Sequence, residues 1–482
     1  MAKSSKNALS MIMSSVLCLV IVTLQWFIWG YSLCFSKTAT SFIGNLNNAF
    51  LRGVLEDPSV VSEETPELIF MIFQCMFAAL TPALAIGTAA ERAKLFPIVV
   101  FVFIWSTLVY DFIACWTWNP NGWSSKLGAL DFAGGTPVHI TSGFASLAYA
   151  LIIGGNGRNK PRILQDYKPH SMSNVVLGTC FLWFGWFGFN GGSALNGTLR
   201  AGMAFVVTNL AASMGAVTWM LMDYRINGSF SALSFCSGAV AGLVTITPAA
   251  GFVGPGPAVA IGFFGGFFCN LAAHLKHWLN FDDVADIFAI HGIGGFIGSI
   301  MTGIWAEQYI PLLDGHIIKG GWMNRHWMQV PYQLADATAG ACWSFFMTYI
   351  ILLIMDRIPG LSLRVAREDE LQQFNSALAN LNRTHHHSIS DNTHQVAHVL
   401  QSLHSDNNNL NNNNSTEFDQ GTASTYYQSE KTIGFNHPHY QHRQQSIDGH
   451  IYINNMTDVQ HPKRTAYPTI TDDHTQVSLS YY

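Results

Sequence analysis

Long apolar runs separated by short polar segments fill the first three quarters of the chain, and the remainder is polar throughout. A helix needs about 20 apolar residues to cross a hydrocarbon core. Ten runs approach that length: 9–35, 66–89, 95–115, 131–154, 172–189, 197–222, 230–248, 255–276, 285–305 and 331–356. They are too long for strands and lack the period-2 alternation of a lipid-facing barrel. The pattern predicts an all-α integral membrane protein with ten transmembrane helices. The first run, MIMSSVLCLVIVTLQWFIWGYSLCF, is too long for a signal core and has no clear cleavage site, so it counts as a span.

Lys and Arg set the orientation. With the N-terminus in the cytosol, the cytosolic segments hold Lys3, Lys6, Arg92, Lys94, Arg158, Lys160, Arg162, Lys168, Arg225, Arg357, Arg364 and Arg367. The outer loops hold fewer: Lys37, Arg52, Lys126, Arg200, Lys319 and Arg325. Both termini are therefore expected in the cytosol, in agreement with an even number of spans. Residues 1–370 read as the transmembrane domain. Residues 371–482 read as a disordered cytosolic tail rich in Asn, His, Gln and Ser, containing NNNLNNNN and 12 of the 19 histidines. The sequon at Asn382 would then face the cytosol and stay unglycosylated.

Composition sharpens this picture. Only 11% of residues are charged, against about 25% in soluble proteins. The polar tail holds the mean hydropathy of the whole chain to +0.22. The eight cysteines show no C-x-x-C spacing, and most fall in apolar runs, so neither a disulfide framework nor a metal site is expected. No nucleophile–base pair or phosphate loop is visible, so an enzyme is not expected. No cofactor or nucleic-acid partner is expected either.

DFAGGTPVHITSG, residues 131–143, is the first candidate for chemistry. Asp131 precedes His139 by eight residues inside an apolar run, and ionisable groups in spans are costly and usually functional. A lone histidine could equally serve helix packing. The arrangement recurs in DDVADIFAIHGIGG, where Asp283, with Asp286 nearby, lies eight residues before His291. In the expected topology the two helices run in opposite directions, the mark of an inverted repeat with its site near the midplane. Two histidines at one depth would line one narrow path. Glycines in GWFGFNGGS, around Gly262, Gly265 and Gly266, and in HGIGGFIGS would let helices approach closely.

The stretches QWFIWGYSLCFS, DFAGGTPVH, GWFGFNGGSALN, DIFAIHGIGGFIGSIMTGIWA and IPGLSLR resemble the ammonium transporter family, in order, from the first residues to about 370. The resemblance implies an inverted-repeat helical bundle with a central pore in each subunit of a homotrimer in the plasma membrane. It implies ammonium or methylammonium as substrate, the bilayer as surroundings, and kinases or other regulators as possible partners of the tail. Trp118 in CWTWNPNGW matches the family's outer recruitment tryptophan, and Ser193 matches its hydroxyl partner. Asp131 matches the aspartate that orders the recruitment site. Phe77 and Phe189 match the stacked pair above the pore. His139 and His291 match the pore histidines, and His139 resembles the two-histidine subgroup. Trp116 and Trp123 read instead as interfacial belt residues, and Ser193 could simply bond a backbone carbonyl. Two departures from the family stand out. The family's first helix has no counterpart here, which would result from a start codon placed too late or mark a genuine ten-span variant. The acidic-tyrosine motif that usually succeeds the cytosolic segment is not visible. Two other readings are a sensor signalling through the tail and a neutral ammonia or gas channel, which would have no need of Trp118.

Overall fold

The computed structural model describes residues 5–88, 93–154, 171–279, 283 and 285–363. The tail from 371, with its expected disorder, and the basic segment 158–168 lie outside the described residues.

Every apolar run forms a helix. They are α1 (5–35), α2 (Glu67–Gly87), α3 (95–118), α4 (135–154), α5 (Met172–Gly192), α6 (Leu199–Asn227), α7 (Ala232–Ile246), α8 (Pro255–Leu279), α9 (Phe288–Trp305) and α10 (Gln329–Arg357). Among the described residues, helices long and apolar enough to cross a membrane number eight rather than the expected ten. α7 has only 15 residues, because the 230–248 run leaves the helix after Ile246 for a buried turn beginning at Thr247. The 131–154 run opens with a non-helical turn, and its remainder divides into a π-helical segment and a 14-residue α-helix.

Among the described residues four helices carry a π-helical turn: Trp26–Gly30 in α1, Ser106–Tyr110 in α3, Gly135–Ile140 in α4 and Phe288–Ile293 in α9. A π turn inserts one extra residue and re-aims the side chains around it, and such turns concentrate at functional sites. The last two contain the two candidate histidines.

The helix surfaces match the predicted environment. α5 leaves Leu177, Phe181 and Phe184 between 55% and 75% exposed. That apolar surface would be costly in water and is at no disadvantage against lipid tails. Inside, α6 packs on α7 and α8, α1 packs on α2, and α10 lies along α4. Small residues permit the close packing of α6 and α7: an added Cβ at Gly215 would lie 2.5 Å from the Gly238 carbonyl oxygen. Trp116 departs from the belt expectation. It is buried, and its indole N–H donates to the Phe42 carbonyl at 2.7 Å.

Candidate functional site

Each histidine helix begins on an aspartate. Asp131 Oδ1 accepts the main-chain N–H groups of Gly134 and Gly135, both at 2.8 Å, and Oδ2 accepts that of Thr136 at 2.7 Å. These donors at the start of α4 would otherwise have no partner. The turn requires glycine at 134, where φ is +107° and an added Cβ would lie 2.8 Å from Val138. Asp283 plays the corresponding part for α9. Its Oδ2 accepts the Phe288 N–H at 2.8 Å, and its Oδ1 accepts the Thr88 hydroxyl at 3.3 Å, joining the end of α2 to the start of α9. Burial, then the neighbouring Asp286 carboxylate, raises the Asp283 carboxyl to about 6, while the Phe288 N–H opposes the rise. Asp286 itself pairs with Lys276 of α8 at 2.6 Å.

The two π segments then bring the histidines together. His139 and His291 are buried, and their Nδ1 atoms lie 3.1 Å apart, although 152 residues separate them in the chain. A hydrogen bond between two neutral imidazoles requires one Nδ1 to carry the proton and the other to accept it. One turn beyond His139, the helix backbone nearly touches the residue that follows His291: an added Cβ at Gly143 would lie 2.1 Å from the Gly292 nitrogen. On the other side, an added Cβ at Gly295 would lie 3.0 Å from the His139 Cβ. Small residues therefore set the distance between the rings.

A continuous series of ring contacts leads to this pair. The Trp118 indole N–H donates to the Asp131 carbonyl at 3.2 Å. Trp118 meets Phe77 edge-on, with centroids 5.8 Å apart. Phe77 stacks on Phe189 at 4.3 Å. Phe189 lies 6.0 Å from His139, nearly parallel. Trp118, Phe77, Phe189, His139 and His291 thus form one line, with Asp131 bracing its first and fourth members. Ser193 sits beside the line rather than in it. Its hydroxyl donates to the Phe189 carbonyl at 2.9 Å, which leaves its lone pairs available to accept. Asp283 holds the start of α9, and Asp286 ties that segment to α8.

The sequence pattern alone did not single out Trp186. Its indole stacks on the His139 ring at 5.4 Å, and its N–H donates to the Thr247 hydroxyl at 2.9 Å. Trp186 lies three residues before Phe189, on the same helix face. That spacing within GWFGFN was the available signal.

The profile of the Ammonium Transporter Family matches residues 2–379. The chain belongs to this family. It is 52% identical to ammonium transporter 1 of Schizosaccharomyces pombe over 371 residues, covering 76% of this chain and 73% of that protein. It is 50% identical to the ammonium transporter MEP2 of Saccharomyces cerevisiae over 374 residues, covering 76% and 74%. Among solved structures it resembles Candida albicans Mep2 with a TM-score of 0.70 at 50% identity, covering 73% of this chain and 78% of that one. A protein described as a sensor Amt protein is similar at 29% identity with a TM-score of 0.68, covering 78% and 91%. The chain is a membrane-spanning member of the ammonium transporter family.

Proposed function

We propose that the protein takes ammonium into the cell across the plasma membrane as a homotrimer, binding it outside as a cation and passing it inward as neutral ammonia. The observation that carries this reading is the unbroken line of rings from Trp118 to the histidine pair. An indole face attracts a small cation, by ~2 kcal/mol or more once water is excluded. Ser193 offers an acceptor to one ammonium N–H. Farther in, Phe77 and Phe189 stack across the way and offer no hydrogen bonds, so an intact ion would lose hydration without compensation. Deprotonation removes most of that cost. Beyond the phenylalanines, neutral ammonia finds imidazole nitrogens able to donate or accept. The proton given up can pass along the His139–His291 pair by exchange of tautomers. Potassium has no proton to give up and would be refused on this route.

The test is uptake of labelled methylammonium in yeast lacking its own ammonium transporters, with surface protein measured in parallel. Saturable uptake supports the reading. No uptake despite protein at the surface overturns it in favour of sensing. A flux that never saturates would favour a neutral-gas channel.

A further inference from the structure

Arg200, the second residue of α6, is a buried cation beside the loop that carries Asp131. Its Nε–H donates to the Gly251 carbonyl at 2.8 Å, in the turn that succeeds α7. Its Nη1 donates to Asp314 Oδ2 at 3.1 Å and to Oδ1 at 3.4 Å. Asp314 ends the 3₁₀ turn Pro311–Asp314 between α9 and α10, and its side chain is buried as well. Asp314 Oδ1 also meets Nδ1 of the half-exposed His316 at 2.9 Å. The guanidinium carbon lies 4.9 Å from the centre of the Phe132 ring and 5.1 Å from that of Phe252.

Phe132 links this cation to the recruitment residues. Its N–H donates to the Pro248 carbonyl at 3.1 Å, and its ring meets Phe252 edge-on at 5.8 Å. Its ring also fills the space at Gly251, where an added Cβ would lie 2.1 Å from it. Phe132, Phe252 and Ala194 share one apolar cluster, against which Phe189 packs. Phe132 directly follows Asp131, whose carbonyl accepts the Trp118 indole N–H at 3.2 Å. Arg200 thus ties together the 248–252 turn, the loop at Asp314 and the loop at Phe132, behind the residues proposed to receive ammonium.

A buried ion pair nearly breaks even against apolar side chains of similar volume, so stability alone does not call for an arginine here. What the guanidinium adds is direction. Its rigid planar fork sends one N–H to Gly251 and another to Asp314, while its charge attracts two rings. A lysine ammonium carries its charge at a point and has no such fork. The Asp314 carboxylate offsets the charge, so the cation leaves little field to repel another arriving at Trp118.

We infer that Arg200 is a positioning residue for recruitment: paired with Asp314, it holds Phe132 and the 248–252 turn, and through them the Asp131 carbonyl that orients Trp118. The effect on uptake rests on the proposed binding of ammonium beside Trp118. The hold on the Asp131 loop does not.

Hydrogen–deuterium exchange of the purified full-length chain in lipid discs reads the loop directly. In Arg200→Met, which keeps apolar bulk but loses the fork, exchange of the main-chain amides at 131–136 should rise about fivefold or more. Unchanged exchange would overturn the inference. In methylammonium uptake normalised to surface protein, the same variant should raise the half-saturation concentration about fivefold or more, with maximal rate within about twofold of wild type. A lower maximal rate at unchanged half-saturation would make Arg200 a scaffold residue only, and would also overturn it. Arg200→Lys should be as impaired as Arg200→Met; wild-type affinity with Lys would show that charge alone suffices and that the fork does not matter. Phe132→Leu, which keeps every charge, should raise both loop exchange and half-saturation about threefold. It decides the matter if Arg200→Met does not reach the surface, and wild-type values for it would refute the link through Phe132. If Trp118→Leu leaves the concentration dependence unchanged, the recruitment reading fails, while the exchange of the loop still decides what Arg200 holds.

Discussion

Gly143→Ala is the substitution whose consequence can be worked furthest from the geometry. The new methyl carbon would lie 2.1 Å from the Gly292 nitrogen and 2.2 Å from its Cα. Both are backbone atoms, so no side chain can turn aside. Relief to the 3.4 Å of ordinary contact parts the backbones by 3.4 minus 2.1, about 1.3 Å, in a region packed too densely to absorb it elsewhere. If the rings move with their backbones, the 3.1 Å between His139 and His291 grows to about 4.4 Å, beyond hydrogen-bond range. Overpacking of this kind typically costs about 1–3 kcal/mol of stability. The greater effect should fall on transport, with a loss of about tenfold or more in maximal rate, equivalent to about 1.4 kcal/mol on the barrier. The assay is methylammonium uptake normalised to surface protein. Gly178→Ala serves as the control, because an added Cβ there has nothing within 4 Å. Wild-type uptake by Gly143→Ala, with the protein folded at the surface, would refute the claim that this contact sets the histidine spacing.

The same geometry sets other outcomes. Trp118→Leu should raise the half-saturation concentration by about tenfold, the loss of roughly 1–2 kcal/mol of cation–π attraction, with a smaller effect on maximal rate; competition with unlabelled ammonium measures it. His139→Ala or His291→Ala should slow uptake or admit potassium, and unchanged rate and selectivity in both would remove the proton relay. Asp131→Ala should lower thermal stability measurably, since it leaves the Gly134, Gly135 and Thr136 N–H groups without their acceptor, at about 1–3 kcal/mol for each one kept from water; a melting curve of purified protein reports it. Deletion of 371–482 should leave uptake largely intact, and complete loss would show that the tail is needed for transport.

Much of this molecule could be read from its chain. A span declares itself locally, because twenty apolar residues in a row satisfy lipid only as a helix, with every main-chain hydrogen bond made inside the segment. The acid–histidine pairs were visible for a similar reason, since an ionisable group within an apolar run is too costly to be incidental. Lengths were less secure. The 230–248 and 131–154 runs are apolar from end to end, yet the first leaves the helix at Thr247 and the second begins with a turn. Apolar residues suit a buried turn as well as a span. Roles that depend on partners were not legible. Gly143 reads like any other of the 42 glycines until Gly292 is set against it. Trp116 looked like a belt residue until Phe42 covered it. Asp336 is one acidic residue in a long apolar helix, and only the fold turns it toward Ser124 and Thr117. The helices, their apolar surfaces and the residues too costly to be idle can all be read from the chain. Only the packed fold shows that His139 and His291 meet, that Trp186 backs them, and that α10 holds the loop before Asp131. Helix formation is settled by each residue and its near neighbours, whereas contact between helices depends on side chains hundreds of positions apart fitting one another.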